Sequence, residues 1–340
     1  MKAWVSHIAG GPQTLVLEDR PLPVPRDGEV LVRIQAVGVN FPDGLLIRDL
    51  YQVKPPRPLV PGSEFCGIVE GVAADVTQFR QGDVVIGRCG WGALSEYLAL
   101  PQDRCLKIPH SLPRAAAAAF LFAYATAYHA LHDAGRIQPG ETLLVLGAAG
   151  GVGSAAVEVG RAMGANVIAA ASSDAKLAFA RSCGADRGLV YAADLQADGG
   201  QRALAAALKE LAPGGVDVVV DPVGGPYTEP ALRSLARGGR HLVVGFTAGI
   251  PRVPLNLPLL KSSHIIGVDW RTFVMEEPAA NSRNVEALLA MWERRQIEPR
   301  VTEIFPFSAA PAAIARLESR DAVGKIVVDM DAPATPSPMS

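Results

Sequence analysis

The amino-acid sequence predicts an α/β protein with two domains, one rich in β-strands and one built on a doubly wound parallel sheet. In the first third of the chain, short β-rich runs alternate with turns, which is typical of a compact all-β unit. From Glu141 onward, apolar strand-like runs alternate with helical patterns, which is typical of a parallel sheet covered by helices. The length of 340 residues suits roughly two domains of about 150 residues each.

The β-rich first third is divided by strong turn signals. Proline and glycine occur at residues 21–25, 26–28 and 55–58, between the apolar runs. The predicted strands are residues 3–6, 29–39, 66–72, 83–87 and 94–100. An alanine-rich segment at residues 114–134 then predicts a helix.

A glycine-rich turn follows the first strand of the second domain and leads directly into a helix. The apolar residues 141–146 end in Gly147-Ala-Ala-Gly150-Gly-Val-Gly153. Glycines permit a tight turn and a close approach of the backbone to a phosphate, and the helix presents unpaired N–H groups and the positive end of its dipole. The pattern therefore predicts a binding site for a dinucleotide pyrophosphate, and with it a redox function.

Strands and helices alternate regularly around this turn. The predicted strands are residues 141–147, 166–171, 188–191, 216–221 and 240–245, and the predicted helices are residues 151–163, 174–182 and 201–211. Residues 264–330 mix strand and helix and close with an apolar strand at 324–329. A dinucleotide-binding domain inserted between two parts of another domain explains this order.

Composition and charge argue against several classes of protein. A formal net charge of -2 disfavours a nucleic-acid partner. No apolar run predicts a membrane span and the start of the chain lacks the apolar region of a signal peptide, so we expect a cytoplasmic protein without a membrane partner. The four cysteines are too far apart for a C-x-x-C pair, so we expect free and mostly buried thiols. Proline-rich residues 331–340 are expected to fray.

Five segments, taken in order, carry a resemblance to a known family. They are Val37-Gly-Val-Asn-Phe-Pro-Asp43, Pro61-Gly-Ser-Glu-Phe-Cys-Gly67, Thr126-Ala-Tyr-His129, the Gly147 to Gly153 turn and Asp221-Pro-Val-Gly-Gly225. Together they resemble the zinc-free quinone oxidoreductase (zeta-crystallin-like) branch of the medium-chain dehydrogenase/reductase superfamily. The resemblance implies a GroES-like catalytic domain at residues 1–123 and 265–340, a Rossmann domain at residues 124–264, and an active site in the cleft.

The same resemblance implies chemistry without a metal. Zinc-dependent relatives have a cysteine ligand in the first segment and a histidine ligand in the second, where this chain has Asn40 or its neighbours and Ser63. Zinc needs three or four Cys, His or carboxylate ligands in close geometry, and the relatives' lobe of four closely spaced cysteines is also missing. Glu64 is either a former ligand or, by the more ordinary interpretation, a partly buried acid hydrogen-bonded to loop backbone.

The expected cofactor is NADPH. An NAD site usually has an acidic side chain at the end of the second Rossmann strand, whereas this strand ends in Ala170-Ala-Ser-Ser173. Lys176 matches a family lysine that contacts the 2′-phosphate; alone, it better suits a solvated surface position, but Tyr191 and Arg320 also match family positions around that phosphate. Asp174 argues against NADPH, although its ordinary role is to complement the dipole at a helix N-terminus. The expected cofactor-binding residues are Ala149, Gly150, Gly151, Val152, Ser172, Ser173, Lys176, Tyr191, Val223, Gly245, Phe246 and Arg320.

Three residues are expected, by resemblance, to be catalytic: Asn40, Asp43 and Thr126. Asn40 is placed near the nicotinamide, where it can hydrogen-bond a carbonyl oxygen. The ordinary interpretations are helix capping for Asn40 and Asp43 and, for Thr126, a hydrogen bond to a preceding carbonyl in its helix.

The expected substrate-pocket residues are Arg48, Tyr51, Tyr124 and Trp270. Leu45 takes the region where the family often has a tyrosine, which excludes proton donation from that position. Tyr51 and Tyr124 are left as possible donors or as packing residues. Arg48 attracts an anionic group of the substrate or is simply solvated or paired.

The expected activity is NADPH-dependent hydride transfer to a small electrophile, namely a quinone or a similar conjugated carbonyl. One alternative is reduction of the activated C=C bond of an enone, acrylate or acyl-CoA thioester, which relatives of the same architecture catalyse. Another is a non-catalytic protein that binds NADPH or RNA. Family members commonly form homodimers through the Rossmann sheet, and apolar residues 255–260 are a candidate for that contact or for a loop over the cofactor.

Overall fold

The computed structural model describes residues 1–192, 194–195, 199–319 and 321–333. The chain forms two compact units, which we call the β-rich unit (Met1–Phe122 and Pro299–Ser340) and the parallel-sheet unit (Ala123–Glu298). The sequence-based boundary after residue 264 differs from this division, because the strand His264–Gly267 extends the parallel sheet and two further helices follow it in the same unit. The expected fraying concerns residues 331–340, of which 334–340 lie outside the described residues.

The elements follow the chain in three blocks. The first block contains β1 (Lys2–Val5), β2 (Val16–Asp19), β3 (Glu29–Val39), α1 (Phe41–Ile47), β4 (Glu64–Val72), β5 (Val84–Arg88), β6 (Tyr97–Pro101), β7 (Cys105–Lys107) and α2 (Arg114–Ala118). The second contains α3 (Thr126–Tyr128), β8 (Thr142–Leu146), α4 (Gly151–Ala162), β9 (Asn166–Ala171), α5 (Asp174–Ser182), β10 (Arg187–Val190), α6 (Gly200–Leu211), β11 (Val216–Asp221), α7 (Thr228–Ser234), β12 (Leu235–Val243), α8 (Asn256–Lys261), β13 (His264–Gly267), α9 (Trp270–Glu276) and α10 (Pro278–Glu293). The third contains β14 (Val301–Pro306), α11 (Ala310–Glu318) and β15 (Lys325–Asp329).

Short helical turns lie between these elements. The 3-10 turns are Pro12–Thr14, Gln102–Arg104, Gly225–Tyr227 and Phe307–Ala309, and the π-helical turns are Leu121–Ala125 and His129–Ala134. The helix predicted over residues 114–134 is therefore a series of short segments, α2 and α3 with a π-helical turn on each side of α3.

The main sheet of the β-rich unit has the order β14-β15-β3-β4-β5-β7, and β6 also pairs with β3. Its pairs are antiparallel except for β14 with β15. Strand β15 comes from the far end of the chain and places Ile326 opposite Val39. This register brings Lys325 to the end of β3, where Asn40 precedes α1.

The sheet of the parallel-sheet unit has the order β10-β9-β8-β11-β12-β13, with every pair parallel. The strand order reverses between β8 and β11, as in doubly wound dinucleotide-binding folds. The central strands β8, β9 and β11 are buried along nearly their whole length, as expected for parallel strands covered on both faces. The predicted doubly wound parallel sheet is therefore confirmed.

Two glycines make the turn after β8 tight. Gly153 has no room for a side chain, since a Cβ there would lie 2.1 Å from the Gly147 carbonyl oxygen. Gly147 adopts a φ of +57°, which glycine reaches without strain. The start of α4 can therefore pack directly on the end of β8. None of the helices in the described ranges combines the length and apolar character that a membrane crossing requires.

Candidate active site

The glycine-rich turn lies at the carboxyl end of β8, where the strand order reverses. Ligands of open parallel sheets bind at this point. Gly150 precedes α4 in an extended conformation, and its N–H donates to the Gly147 carbonyl at 3.0 Å. Ala149 is buried, whereas Gly150 is exposed and Gly151 and Val152 are half-buried. Because the first N–H groups of a helix lack intrahelical acceptors, the turn can offer these donors to a phosphate.

The end of β9 presents small and hydroxyl side chains. Ser173 caps α5, because its Oγ accepts the Lys176 N–H at 3.3 Å. Asp174 is exposed in the first turn of that helix, which agrees with its ordinary interpretation as an acid that complements the helix dipole. Ser172 and the side chain of Lys176 are half-buried at this end of the strand.

Tyr191 and Val223 border the glycine-rich turn. Tyr191 is 8% exposed, and its ring packs on Tyr227 with centroids 4.8 Å apart. Burial raises the pKa of Tyr191, and a hydrogen bond with the Gly147 backbone opposes that rise. A Cβ on Gly147 would lie 2.8 Å from Cγ2 of Val223. Both predicted cofactor residues therefore line the turn itself.

Gly245 and Phe246 follow β12, beside the loop that follows β11. The N–H of Gly245 donates to the Asp221 carbonyl at 3.2 Å, and the N–H of Ala248 donates to the Val223 carbonyl at 2.7 Å. Phe246 is 46% exposed. These bonds join the two loops at the carboxyl edge of the parallel sheet.

A buried carboxylate, Asp221, organises the loop after β11. Its Oδ1 accepts the N–H groups of Val223 and Gly224 at 2.9 and 2.8 Å. Its Oδ2 accepts the Thr228 hydroxyl at 2.7 Å and lies 3.1 Å from Nε2 of His241. Burial acts to raise the pKa of Asp221, but these partners outweigh it and leave the pKa below its ordinary value. The carboxylate therefore fixes the turn that carries Val223.

Thr126 lies in α3, between the two π-helical turns. Its side chain is buried, with 8% of the residue exposed. π-Helical turns are rare and frequently occur at functional sites. Thr126 stays a predicted catalytic residue on the strength of the resemblance and this irregular helical setting.

Tyr124 and Trp270 have their polar atoms engaged within the parallel-sheet unit. The Tyr124 hydroxyl lies 2.7 Å from Oε2 of Glu158 and 3.0 Å from the Glu298 carbonyl, and the residue is 1% exposed. The Trp270 indole N–H donates to Oδ1 of Asn281 at 3.1 Å. For Tyr124, these contacts agree with the packing interpretation rather than with a proton donor.

In the β-rich unit, a buried ammonium group lies among oxygen atoms. Lys325 is 3% exposed, and its Nζ donates to Oδ1 of Asn40 at 2.5 Å, to Oε1 of Glu64 at 2.8 Å and to the Val39 carbonyl at 3.2 Å. Three acceptors match the three donors of an ammonium group. Oε2 of Glu64 accepts the Phe122 N–H at 2.9 Å. The expected backbone hydrogen bond of Glu64 is therefore present, but the residue is 1% exposed rather than partly buried, and it is also ion-paired with Lys325.

The amide of Asn40 is oriented by these charged neighbours. Its Nδ2 donates to Oε1 of Glu64 at 2.9 Å and lies 3.2 Å from both the Ser63 hydroxyl and the Gly38 carbonyl. An ammonium group only donates and a carboxylate only accepts, so the amide can face them in one orientation. Asn40 is 5% exposed. A hydrogen bond from Asn40 to a substrate carbonyl therefore requires one of the interior bonds to break.

Asp43 closes the first turn of α1. Its Oδ2 accepts the backbone N–H of Asn40 at 2.8 Å, as a capping residue does. It is 3% exposed, and burial raises its pKa to about 7 against the hydrogen bonds from Asn40 and Ser63 and the charge of Lys325. The capping interpretation thus describes the contact that Asp43 makes.

Arg48 lies at the carboxyl end of α1 and is paired. Its Nη2 donates to Oε2 of Glu318 at 2.9 Å, its Nη1 contacts Oε1 of the same carboxylate, and Nη1 also donates to the Gly44 carbonyl at 2.9 Å. Tyr51 is half-buried in the loop that follows. Arg320, predicted to surround the 2′-phosphate, lies outside the described residues.

The cysteines are free thiols, as predicted. Cys66, Cys89 and Cys183 are buried, and Cys105 is partly buried. Burial raises the pKa of Cys66 and of Cys105 to about 12. Cys66 and Cys105 are therefore protonated at neutral pH and have little nucleophilic character.

Two family models match the chain. The alcohol dehydrogenase GroES-like domain matches residues 26–110, and the zinc-binding dehydrogenase model matches residues 151–286. Quinone oxidoreductase-like protein 2 of Rattus norvegicus is 36% identical over 305 residues, which cover 89% of this chain and 85% of the rat protein. The chain belongs to the quinone oxidoreductases of the medium-chain dehydrogenase/reductase superfamily.

Solved structures agree with this family. The quinone oxidoreductase of Thermus thermophilus, whose structure includes a complex with NADPH, is 35% identical; the match covers 97% of this chain and 100% of that chain with a TM-score of 0.80. The CurK enoyl reductase is 26% identical; the match covers 96% of this chain and 99% of that chain with a TM-score of 0.84. The predicted combination of a GroES-like and a Rossmann-type domain is thereby confirmed.

Two buried residues, Lys325 and His241, have no role in the sequence-based prediction. Lys325 begins the apolar strand β15. A lysine in a buried strand needs an oppositely charged or hydrogen-bonding partner, so its position in an apolar run is a sequence signal for a buried polar cluster. Its partner Glu64 lies in a distant segment of the chain, so the pairing itself needs the fold. His241 stands in the buried strand β12 and carries the same type of signal.

Proposed function

We propose that this protein transfers a hydride from NADPH to a quinone or a similar conjugated carbonyl without zinc. Membership of the quinone oxidoreductases makes it an oxidoreductase. Particular residues support the conjugated acceptor, the preference for NADPH and the independence of zinc.

The glycine-rich turn fits a dinucleotide. Its backbone leaves no room for a side chain at Gly153, as expected where a pyrophosphate and a helix both approach the strand closely. The first turn of α4 adds N–H groups and the positive end of a helix dipole. When bound, NADPH supplies the hydride, while the chain's residues bind and orient.

NADPH preference is supported by Ser172 and Lys176. β9 is followed by two serines where an NAD site usually has a carboxylate, and the exposed Asp174 lies in the first turn of α5. The half-buried Lys176 suits a phosphate there. We expect Lys176→Ala to raise the KM for NADPH by about tenfold, since a charge-assisted hydrogen bond contributes roughly 1.5–3 kcal/mol, and to leave the KM for NADH unchanged. Steady-state kinetics with both cofactors check this, with Lys209→Ala, an exposed lysine of α6, as control. Equal effects of Lys176→Ala on both cofactors would contradict the preference.

A zinc ion does not fit the polar cluster of the β-rich unit. Asn40 and Ser63 offer an amide and a hydroxyl, whereas zinc in proteins is bound by thiolate, imidazole and carboxylate. The carboxyl groups of this cluster are those of Glu64 and Asp43: Oε1 of Glu64 already holds the Lys325 ammonium at 2.8 Å, and Oδ2 of Asp43 accepts the Asn40 N–H at 2.8 Å. A second cation beside that ammonium would be repelled.

The lack of a full set of zinc-binding side chains in this polar cluster of the described residues is the observation that carries the proposal. Without a metal to polarise a carbonyl, hydride transfer needs an acceptor that is already electron-poor. Quinones and other conjugated carbonyls meet that condition. With Leu45 in the family's tyrosine region and the Tyr124 hydroxyl engaged in the interior, we propose that the proton comes from solvent.

The acceptor class is tested by NADPH oxidation with a panel of quinones, enones and enoyl thioesters. The proposal expects turnover of quinones. The similarity to the CurK enoyl reductase favours reduction of an activated C=C bond as the second candidate. Turnover of enones or thioesters with inactivity towards every quinone would establish that candidate instead, and NADPH binding without any turnover would favour a non-catalytic role.

We also propose a homodimer formed through the edge of the parallel sheet. β13 is the last strand in that sheet, and Ile265 on it is 41% exposed. Leu255, Leu259 and Leu260 are 76%, 79% and 69% exposed nearby in the chain. Exposed apolar side chains beside an open strand edge favour pairing with another chain. Light scattering after size-exclusion chromatography is expected to give the mass of two chains; one chain at micromolar concentration would contradict the dimer.

A further inference from the structure

A recess of about 280 Å³ lies on α1, within the β-rich unit. It is lined by Phe41, Leu45, Arg48 and Glu318. Phe41 and Leu45 make its apolar walls, and Phe41 is 39% exposed. The other two residues are opposite charges that contact each other. The recess therefore combines an apolar surface with one ion pair.

This ion pair is built into the helix. A Cβ on Gly44 would lie 2.4 Å from Oε1 of Glu318, so the missing side chain lets this carboxylate approach α1. Arg48 meets the carboxylate with both terminal nitrogens and also donates to the Gly44 carbonyl. Both side chains are 30% exposed. A two-point arginine–carboxylate contact has a defined geometry as well as charge.

We propose that Glu318 determines acceptor specificity by neutralising Arg48. The inference rests on the proposed function, because it requires the acceptor of that reaction to bind in the recess on α1. An unpaired arginine offers a planar fork that binds carboxylate or sulfonate groups. With Glu318 on that fork, the recess has no net charge and two apolar walls. The acceptor class is therefore an uncharged, largely apolar quinone or conjugated carbonyl, and anionic acceptors are disfavoured.

The test compares a neutral naphthoquinone with a sulfonated naphthoquinone. The measured quantity is the specificity ratio, which is kcat/KM for the sulfonated acceptor divided by kcat/KM for the neutral one. Each variant's ratio is compared with the wild-type ratio, so that the different reduction potentials of the two compounds cancel. We expect Glu318→Gln to raise this ratio by about fivefold, since it leaves a partly exposed cation next to the acceptor. Arg48→Gln is expected to lower it. The increase in Glu318→Gln is expected to shrink at high salt, because screening weakens a partly exposed charge.

The matched control is Glu303→Gln. Glu303, on β14, pairs with Arg316, which lies on α11 as Glu318 does. The side chains of Glu303 and Arg316 are 31% and 32% exposed. This variant removes a similar ion pair away from the recess, so its ratio is expected to equal that of the wild type. Thermal unfolding of each variant separates a folding defect from a change in specificity.

The outcomes distinguish this inference from the proposed function. An unchanged ratio in Glu318→Gln, with the neutral quinone still reduced, would overturn the role of Glu318 and leave quinone reduction standing. If the wild type reduced neither quinone, the proposed acceptor class would fail. The ratio of equilibrium dissociation constants for the same two quinones would then decide the role of Glu318: a shift towards the sulfonated quinone in Glu318→Gln supports it, and no shift overturns it.

Discussion

Each unit of the protein contains a buried aspartate beside its candidate functional residues, and the two aspartates behave in opposite ways. Asp43 in the β-rich unit is 3% exposed, and Asp221 in the parallel-sheet unit is 1% exposed. Burial is the largest influence on both, yet the pKa of Asp43 rises to about 7 and the pKa of Asp221 falls below its ordinary value. Burial alone therefore does not decide whether a carboxyl group is ionised.

The difference lies in the hydrogen-bond donors. Asp221 is surrounded by two backbone N–H groups, a hydroxyl and an imidazole. Asp43 interacts with the Asn40 N–H and the Ser63 hydroxyl, while the nearby ammonium of Lys325 donates to other oxygen atoms. Donors directed at a carboxylate offset the loss of water. In the parallel-sheet unit a carboxylate organises a backbone turn, whereas in the β-rich unit a cation organises side chains.

The largest expected effect comes from removing that cation. Lys325→Met leaves Glu64 buried without its partner, which is expected to lower the free energy of unfolding by roughly 3–5 kcal/mol. Urea denaturation measures the loss. The double variant Lys325→Met, Glu64→Gln removes both charges and is expected to recover most of the stability. A loss of less than about 1 kcal/mol in the single variant would show that the ammonium does not organise this cluster.

The second effect is a pH dependence that arises from Asp43. Its folded pKa of about 7 lies above the unfolded value of 3.8, so the folded protein holds this proton more strongly. The resulting stability is fully present below the unfolded pKa and is lost as the pH rises through the folded pKa. Relative to Asp43→Asn, the wild type is therefore expected to lose about 3 kcal/mol of unfolding free energy between about pH 4.5 and 7.

Urea denaturation of both proteins across this pH range provides the measurement. The contribution of Asp221 to stability depends on pH in the opposite direction. Its pKa is lowered on folding, so the stability is present above the unfolded pKa of 3.8 and is lost as the pH falls. A flat difference between the wild type and Asp43→Asn would mean that Asp43 is ionised in the folded protein throughout the range.

The third effect concerns Asp221. In Asp221→Asn, the donors around this side chain lose the negative charge of their acceptor, so we expect a loss of about 2 kcal/mol in unfolding free energy. Weaker NADPH binding is expected as well, because the Val223 turn loses its anchor; fluorescence titration checks this. Asp217→Asn is the control on the same strand, since Asp217 accepts one N–H, from Thr142, at 2.8 Å. Equal effects of the two variants would contradict a special role for Asp221.

The sequence predicted what local patterns determine. The glycine-rich turn and the apolar strand–helix alternation predicted the parallel sheet, because glycine conformation and hydrophobic periodicity are local properties. The position of Asn40 before α1 and the acid at Asp43 predicted a helix start for the same reason.

Pairings between distant segments were not predictable in this way. Lys325 reaches Glu64 because β15 returns from the end of the chain to β3, and no local pattern states that register. The pairing of Arg48 with Glu318 likewise depends on Gly44 allowing a close approach. The opposite pKa directions of the two aspartates follow from donors that the fold assembles around each carboxyl group.

Hydride transfer from NADPH without zinc is tested by the rate of naphthoquinone reduction by protein stripped of metal. Purified protein is treated with a chelator, shown by elemental analysis to be free of zinc, and assayed with NADPH and the neutral naphthoquinone. We expect the same kcat before and after treatment. Loss of activity that added zinc restores would contradict it.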